Sequence, residues 1–318
     1  MVFHRADGHR RPQPPRQRHV GRLGAGAASA GREGRPVSAL RHFLDAIKVE
    51  HTVFALPFAY LGMVLAARGW PGGHAFLWIT VAMVAARTTA MAANRLIDRH
   101  LDARNPRTAG RHLPRGLLAP RDLLVAAVCS AALFFLAAWQ LGPLCLALAP
   151  VALVFLVGYS YTKRFTWLSH WILGFTDGAA AAGAWIAVRG TMDPPAWLLW
   201  LAVTVWIAGF DLLYACQDVE FDRREGLHSV PARFGIAAAL RAARLCHVLT
   251  AAALAAAGVS LGLGVLYWIG WLLVAGLLVY EHSLVSATDL SRLDMAFFNV
   301  NGYISVITFV AAVAGLWY

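Results

Sequence analysis

Charge is what this sequence has least of. Asp, Glu, Lys and Arg make up 14% of the 318 residues, against 59% hydrophobic residues and a mean hydropathy of +0.57. A soluble domain carries about a quarter charged residues, so an ordinary globular fold is excluded. Acids are scarcer than bases, 17 against 28, which gives a net charge of +11. Cysteine is confined to Cys129, Cys145, Cys216 and Cys246, with no CxxC pair. That leaves neither a disulfide framework nor a zinc site, and the four read as small buried hydrophobes. The twelve histidines contain no HxxxH spacing. The first 36 residues lack an apolar h-region, so they are not a secretory signal.

What the sequence does have is long apolar runs of bilayer-crossing length, about 17–25 residues. They fall at 52–67, 76–93, 122–140, 143–162, 168–188, 196–215, 237–258, 261–280 and 297–317. The fold class is therefore all-α: a polytopic transmembrane helical bundle of about nine helices. Residues 1–36, rich in Arg, Pro and Gly, form a disordered basic tail in front of one membrane domain, 37–318, and Val37 is an alternative first position. Ser38–Glu50 has apolar residues at helical spacing with charges between, the pattern of an amphipathic interfacial helix.

The basic residues are distributed as in a membrane protein, not a nucleic-acid binder. Ten precede residue 50, fifteen lie in or beside the four loops that join an even span to the next odd one, and the opposite loops hold only Arg68 and Arg189. The positive-inside rule puts the four basic loops and the N-terminus in the cytoplasm of a bacterial-type plasma membrane, and the C-terminus outside. Five acids share that cytoplasmic face: Asp98, Asp102, Asp218, Glu220 and Asp222.

Four of those acids form two motifs. Asn94, Asp98 and Asp102 are spaced i, i+4, i+8 at the end of the second span, and Tyr214, Asp218 and Asp222 repeat the spacing at the end of the sixth. On a helix that spacing aligns three side chains on one face, rising about 6 Å per step. The motifs lie 120 residues and four spans apart, so they share an orientation and read as a pseudo-repeat. Mg²⁺ takes oxygen ligands, one or two carboxylates per ion, and fills its shell with water and substrate phosphates. Two facing carboxylate pairs suit two Mg²⁺ around a diphosphate, with Arg and Lys on the remaining oxygens. The alternatives are acids that are solvated helix ends paired with neighbouring arginines, or a divalent-cation transporter. Transporter sites usually lie near the bilayer midplane, whereas these acids lie at the rim.

These residues resemble the UbiA superfamily of membrane prenyltransferases. Asn94, Asp98 and Asp102 follow the first family motif, with Arg95 where many members have Asp. Tyr214, Asp218 and Asp222 follow the second. The segments Asn105–Gly116 and Tyr159–Thr166, and the residues Gly226, Ser229, Phe234 and Gly235, are similar to the family's other cytoplasmic segments. The resemblance covers roughly residues 40–318. It implies that Asn94, Asp98, Asp102, Asp218 and Asp222 hold Mg²⁺, that a polyprenyl diphosphate binds there, and that the allylic cation alkylates an aromatic acceptor. Tyr214 joins the four aspartates in the catalytic set. Arg111 and Lys163 are diphosphate contacts. Arg87, inside the second span, is the anchor of an acceptor carboxylate or else an ion pair with Asp177 or Asp211, and Asp211 lines the same site. The acceptor implied is an aromatic hydroxy acid of quinone biosynthesis, 4-hydroxybenzoate or a dihydroxynaphthoate. The stretches around Lys48–Ala59 and Gln217–Ser229 lean toward the menaquinone-associated branch.

Overall fold

The computed structural model describes residues 35–293 and 295–317. The basic tail through residue 34 lies outside the described residues. The amphipathic segment forms helix α1 (Arg35–Ala46), which a short turn joins to α2 (Val49–Ala67). The chain continues through α3 (Gly73–Ile97), α4 (Arg99–Arg104), α5 (Pro120–Leu141), α6 (Pro143–Gly158), α7 (Ser169–Arg189) and α8 (Pro194–Tyr214). It ends with α9 (Val219–Arg224), α10 (Val230–Phe234), α11 (Ile236–Leu261), α12 (Val265–Ser283) and α13 (Asn301–Ala314). Among the described residues every regular element is helical, as the sequence requires.

Seven helical stretches are long and apolar enough to cross a bilayer: Gly73–Ile97, Pro120–Leu141, Pro143–Arg164, Ser169–Arg189, Pro194–Arg224, Ile236–Leu261 and Val265–Ser283. Leu56–Ala67 and Asn301–Ala314 are shorter apolar helices, so each of the nine expected spans falls on an apolar helix. Large aliphatic side chains such as Val128, Val154, Val259 and Val279 stand exposed on the outside. A surface of that kind is satisfied by lipid, where helices keep their backbone polar groups internally bonded.

With lipid outside, small residues allow the helices to approach closely. Gly174 of α7 sits against α8, and a Cβ there would collide with the Thr204 carbonyl; Gly62 of α2 meets the Ala181 carbonyl of α7 in the same way. The α7 and α8 helices, with α2 and α11 on either side, form the densest part of the bundle, around buried Leu199, Val203, Leu212 and Leu213. The α3 helix pairs with α5, and α6 bridges α5, α3 and α7. A large cavity opens between α3, α6, α7 and α8.

One local feature departs from the sequence expectation. Neither motif lies on a straight helix. The α3 helix bends at Asp98 (φ −91°, ψ 3°) into the six-residue α4, and the chain after α8 runs through a 3₁₀ turn, Ala215–Asp218, to bend at Asp218 (φ −102°, ψ 7°) into the six-residue α9. Both aspartates sit in the sparsely populated bridge region, where many active-site residues are found. The i→i+4 backbone bonds of Asp98 and Asp102 persist, so the first motif is a kink and not a break. The pseudo-repeat thus extends to the backbone: long helix, aspartate at the bend, short helix.

Candidate active site

The two bends face each other at one end of the bundle, and the segments after them interlock. Asn105, which closes α4, donates from Nδ2 to Asp218 Oδ1 across 3.0 Å. Arg104 at the end of α4 pairs with Glu225 just past α9 at 2.9 Å. That second contact is exposed and contributes little by itself. The 105–119 loop folds over the opening, so Arg107, Thr108, Arg111 and Leu113 line the cavity from above.

Each motif aspartate has one basic partner, and the partners cross over. Arg164 reaches Asp98 Oδ1 at 2.9 Å, and Arg111 reaches Asp102 Oδ1 at 2.6 Å. Arg107 grips Asp218 with Nε at 2.9 Å and Nη2 at 2.5 Å, a bidentate fork of the strong kind. The Lys163 Nζ stands 3.9 Å from Asp222 Oδ2, an ion pair too long for a hydrogen bond. The loop after α4 therefore supplies one cation to each motif, and so does the 3₁₀ helix Tyr159–Arg164. Burial pushes the Asp98 carboxyl above its ordinary value, and the Arg164 bond offsets part of that. Burial alone would lower Arg107, but its bond to Asp218 holds the guanidinium above its ordinary value.

Two carboxylate oxygens of the motifs lack a hydrogen bond, although Lys163 lies near one of them. Asp102 Oδ2 and Asp222 Oδ2 are both buried without a hydrogen-bond partner. They belong to the second aspartate of each motif, at matching positions of the repeat. A buried anionic oxygen left unpaired is costly, and a hard cation is the partner that fits it. Among the described residues no ready-made group of three or more His, Cys, Asp or Glu closes around an ion. That agrees with a cation that takes only one or two carboxylates and completes its shell with water and phosphate oxygens. The donor set thus fits Mg²⁺.

Asn94 is tied to both sides of the first motif. Its carbonyl oxygen accepts from Arg95 Nη1 at 3.2 Å, and its amide donates to Asp98 Oδ2 at 2.8 Å and to Ser160 Oγ at 3.2 Å. The opposite amide orientation would set oxygen against carboxylate and N–H against guanidinium, so the neighbours fix it. Asn94 therefore orients Asp98, and its carbonyl oxygen, with one of two lone pairs engaged by Arg95, keeps the other. Arg95 is itself buried and donates from Nε to the Ala46 carbonyl at the end of α1. The departure from the first motif's usual pattern has become a tie between the interfacial helix and the site.

Deeper along α3, Arg87 faces the cavity and pairs with Asp177 of α7 at 3.4 Å, while its Nε is buried with no partner. The partner left open by the sequence is thus Asp177. Asp211 binds His170 instead, at 2.6 Å. Tyr214 accepts from Arg107 Nη1 at 3.0 Å, and the Arg107 guanidinium lies 5.0 Å from the centre of its ring. The cavity has a volume of about 1200 Å³. Away from the charged groups its walls are apolar, with Ile79, Met83, Phe134, Leu148, Phe155 and Gly183 among them.

All ten residues singled out from the sequence line this one cavity: Arg87, Asn94, Asp98, Asp102, Arg111, Lys163, Asp211, Tyr214, Asp218 and Asp222. Sequence reading missed Arg107 and Asn105 as partners of Asp218, and it missed His170. The Asn105-Pro106-Arg107 step that ends the first motif's helix was the available signal for two of them. For His170 the sequence gives none, since its partner is 41 residues away.

The model of the UbiA prenyltransferase family matches residues 55–303. A 4-hydroxybenzoate octaprenyltransferase of Vibrio cholerae is 29% identical over 255 residues, 80% of this chain and 89% of that protein. One of Nitrosospira multiformis is 31% identical over 240 residues, 76% of this chain and 82% of its own. Among solved structures, the apo form of a UbiA homolog from Aeropyrum pernix superposes with a TM-score of 0.76 at 31% identity, covering 82% of this chain and 96% of that one. A UbiA homolog from Archaeoglobus fulgidus, solved with DMAPP and Mg²⁺ bound, shares the fold with a TM-score of 0.61 at 16% identity, covering 84% of this chain and 99% of that one.

Proposed function

This chain belongs to the UbiA prenyltransferase family, and from that premise we propose that it transfers a polyprenyl group from a polyprenyl diphosphate to an aromatic hydroxy acid in quinone biosynthesis. The observation that carries the reading is the layout of one cavity: paired aspartates and bases at its mouth, a guanidinium with an unpartnered Nε deeper down, and apolar walls beyond.

Arg107, Arg111, Lys163 and Arg164 hold the acid cluster neutral before substrate arrives. When a diphosphate enters, they turn to its oxygens, where Arg forks are well matched to phosphate. Asp98, Asp102, Asp218 and Asp222 would hold Mg²⁺, which would supply neutralising charge to the leaving diphosphate. The allylic C–O bond breaks, diphosphate departs with the electron pair, and a ring carbon of the acceptor forms the new C–C bond as its proton is lost. Tyr214 presents a ring to the developing cation, and the apolar walls keep water from it. Arg87 binds the acceptor carboxylate, displacing its long contact with Asp177.

The relatives named for 4-hydroxybenzoate support a one-ring acid. The sequence around Lys48–Ala59 and Gln217–Ser229 leans toward a dihydroxynaphthoate, and both acids carry the carboxylate that Arg87 requires. The bilayer is the bacterial plasma membrane, with the site at its cytoplasmic face, as the loop arginines direct.

The test is prenyl transfer by the purified protein, with each acid offered beside a long polyprenyl diphosphate. Product forms with Mg²⁺ and stops on chelation. Arg87→Ala raises the acceptor KM by about 10²-fold and leaves the diphosphate KM near its original value, as expected for loss of a charged anchor worth about 2–3 kcal/mol. Efficient prenylation of a ring without a carboxylate, unaffected by Arg87→Ala, overturns the anchor. Full turnover in the presence of chelator overturns the metal.

A further inference from the structure

Asp211 is held from behind by a residue that no role above uses. His170, the second residue of α7, is completely buried, and its Nδ1 lies 2.6 Å from Asp211 Oδ2. On the other side of the ring, the backbone N–H of Val230 donates to Nε2 at 3.3 Å. A donor at Nε2 fixes the tautomer: the ring proton resides on Nδ1 and is directed at Asp211. Three elements, α7, α8 and α10, therefore meet at one imidazole with both nitrogens engaged. The Asp211 side chain keeps 21% of its surface, and it faces the cavity it lines.

The link reaches further. Val230 ends the segment that follows the second motif, and within that segment the His228 N–H donates to the Lys163 carbonyl at 2.6 Å. One short stretch thus carries both the anchor of His170 and a tie to the helix that bears Lys163. Backbone hydrogen bonds thus run from the diphosphate end to the imidazole behind Asp211.

We propose that His170 is a positioning residue. It presents the Asp211 carboxylate with one oxygen turned into the cavity, where that oxygen accepts a hydrogen bond from the ring hydroxyl of the acceptor. This rests on the reading above that the acceptor is an aromatic hydroxy acid. Arg87 then takes the carboxylate of the acceptor and Asp211 its hydroxyl, so the ring is fixed at both ends. A hydroxyl donating to a carboxylate is more electron-rich, and so is the ring carbon that meets the allylic cation.

The experiment measures steady-state transfer with both substrates varied, and acceptor binding without diphosphate by quenching of tryptophan fluorescence, since Trp206 lines the cavity. The proteins are wild type, His170→Ala, His170→Asn, Asp211→Asn and the double variant His170→Ala/Asp211→Asn. In His170→Ala, a carboxylate misplaced by about an ångström lowers kcat/KM for the acceptor by about 10²-fold and weakens acceptor binding, with the diphosphate KM nearly unchanged. His170→Asn, which keeps an N–H donor, recovers part of the loss. In the Asp211→Asn background the alanine adds no further loss, because the two residues act as one unit. Equal effects on both substrates, or losses that add in the double variant, overturn the positioning role. Wild-type turnover with neither acid overturns the acceptor reading instead, so the two failures are distinct.

Discussion

Asp102 and Asp222 each leave one buried oxygen without a hydrogen bond, and that pair of atoms says more about the site than the count of acids does. A structural salt bridge satisfies its carboxylate; here Arg111 bonds Asp102 through Oδ1 alone, and the Lys163 ammonium stands too far from Asp222 Oδ2 to hydrogen-bond it. Asp102→Asn and Asp222→Asn each remove the open charge while keeping the shape. Each is expected to lower kcat by about 10²–10³-fold, the usual cost of one electrostatic contact to a developing charge, and to raise the Mg²⁺ concentration needed for half activity. A Mg²⁺ titration of turnover, with circular dichroism to confirm folding, checks this. Near-normal turnover in both variants would exclude the two-motif site. Arg107 shows the limit of reading at this scale. It is one of three arginines spaced by four in the loop, and only its observed fork on Asp218 separates it from Arg115.

At the scale of elements, function depends on bends and close approaches. The kinks at Asp98 and Asp218 turn α4 and α9 across the opening, so that Asn105 and Arg107, from beyond the first bend, arrive at the aspartate of the second. The position of α7 depends on glycine. It brings His170 to Asp211 and Asp177 to the cavity only because Gly174 permits backbone contact with Thr204 of α8. Gly174→Ala places a methyl group where the Thr204 carbonyl stands, and the opposing atom is rigid backbone. The expected cost is about 1–3 kcal/mol of stability, the range for an overpacked interior. It should appear as a lower melting temperature in detergent and as a loss of acceptor binding larger than the loss of diphosphate binding, since Asp177 and His170 move with α7. An unchanged melting temperature would show that the helices separate without strain.

At the scale of the molecule, the helices present aliphatic side chains outward and enclose a large, mainly apolar cavity with the charged motifs at one end. In the orientation proposed from the loop arginines, that end faces the cytoplasm. In a cysteine-free background, Gly110→Cys and Arg224→Cys are expected to react with an impermeant maleimide only from the cytoplasmic side, and Trp317→Cys only from outside. Labelling of position 317 from the cytoplasm would mean an even number of crossings. The family assignment also removes the ion-transporter alternative, which the acids alone had left open.

The sequence by itself determined the fold class, the nine apolar segments, the two motifs and all ten cavity residues named from it. Each of these is local: apolar length, helical spacing and loop charge are written in adjacent residues. Only the tertiary structure decided how those residues are paired. Nothing in the chain order tells that Arg107 binds Asp218, that Asp177 and not Asp211 meets Arg87, or that His170 holds Asp211, because these contacts span 111, 90 and 41 residues. The same holds for Asn94, whose amide the folded chain sets between Arg95, Asp98 and Ser160. A side chain's identity fixes what it can bind, and the packing of helices distant in sequence fixes which of those partners it meets.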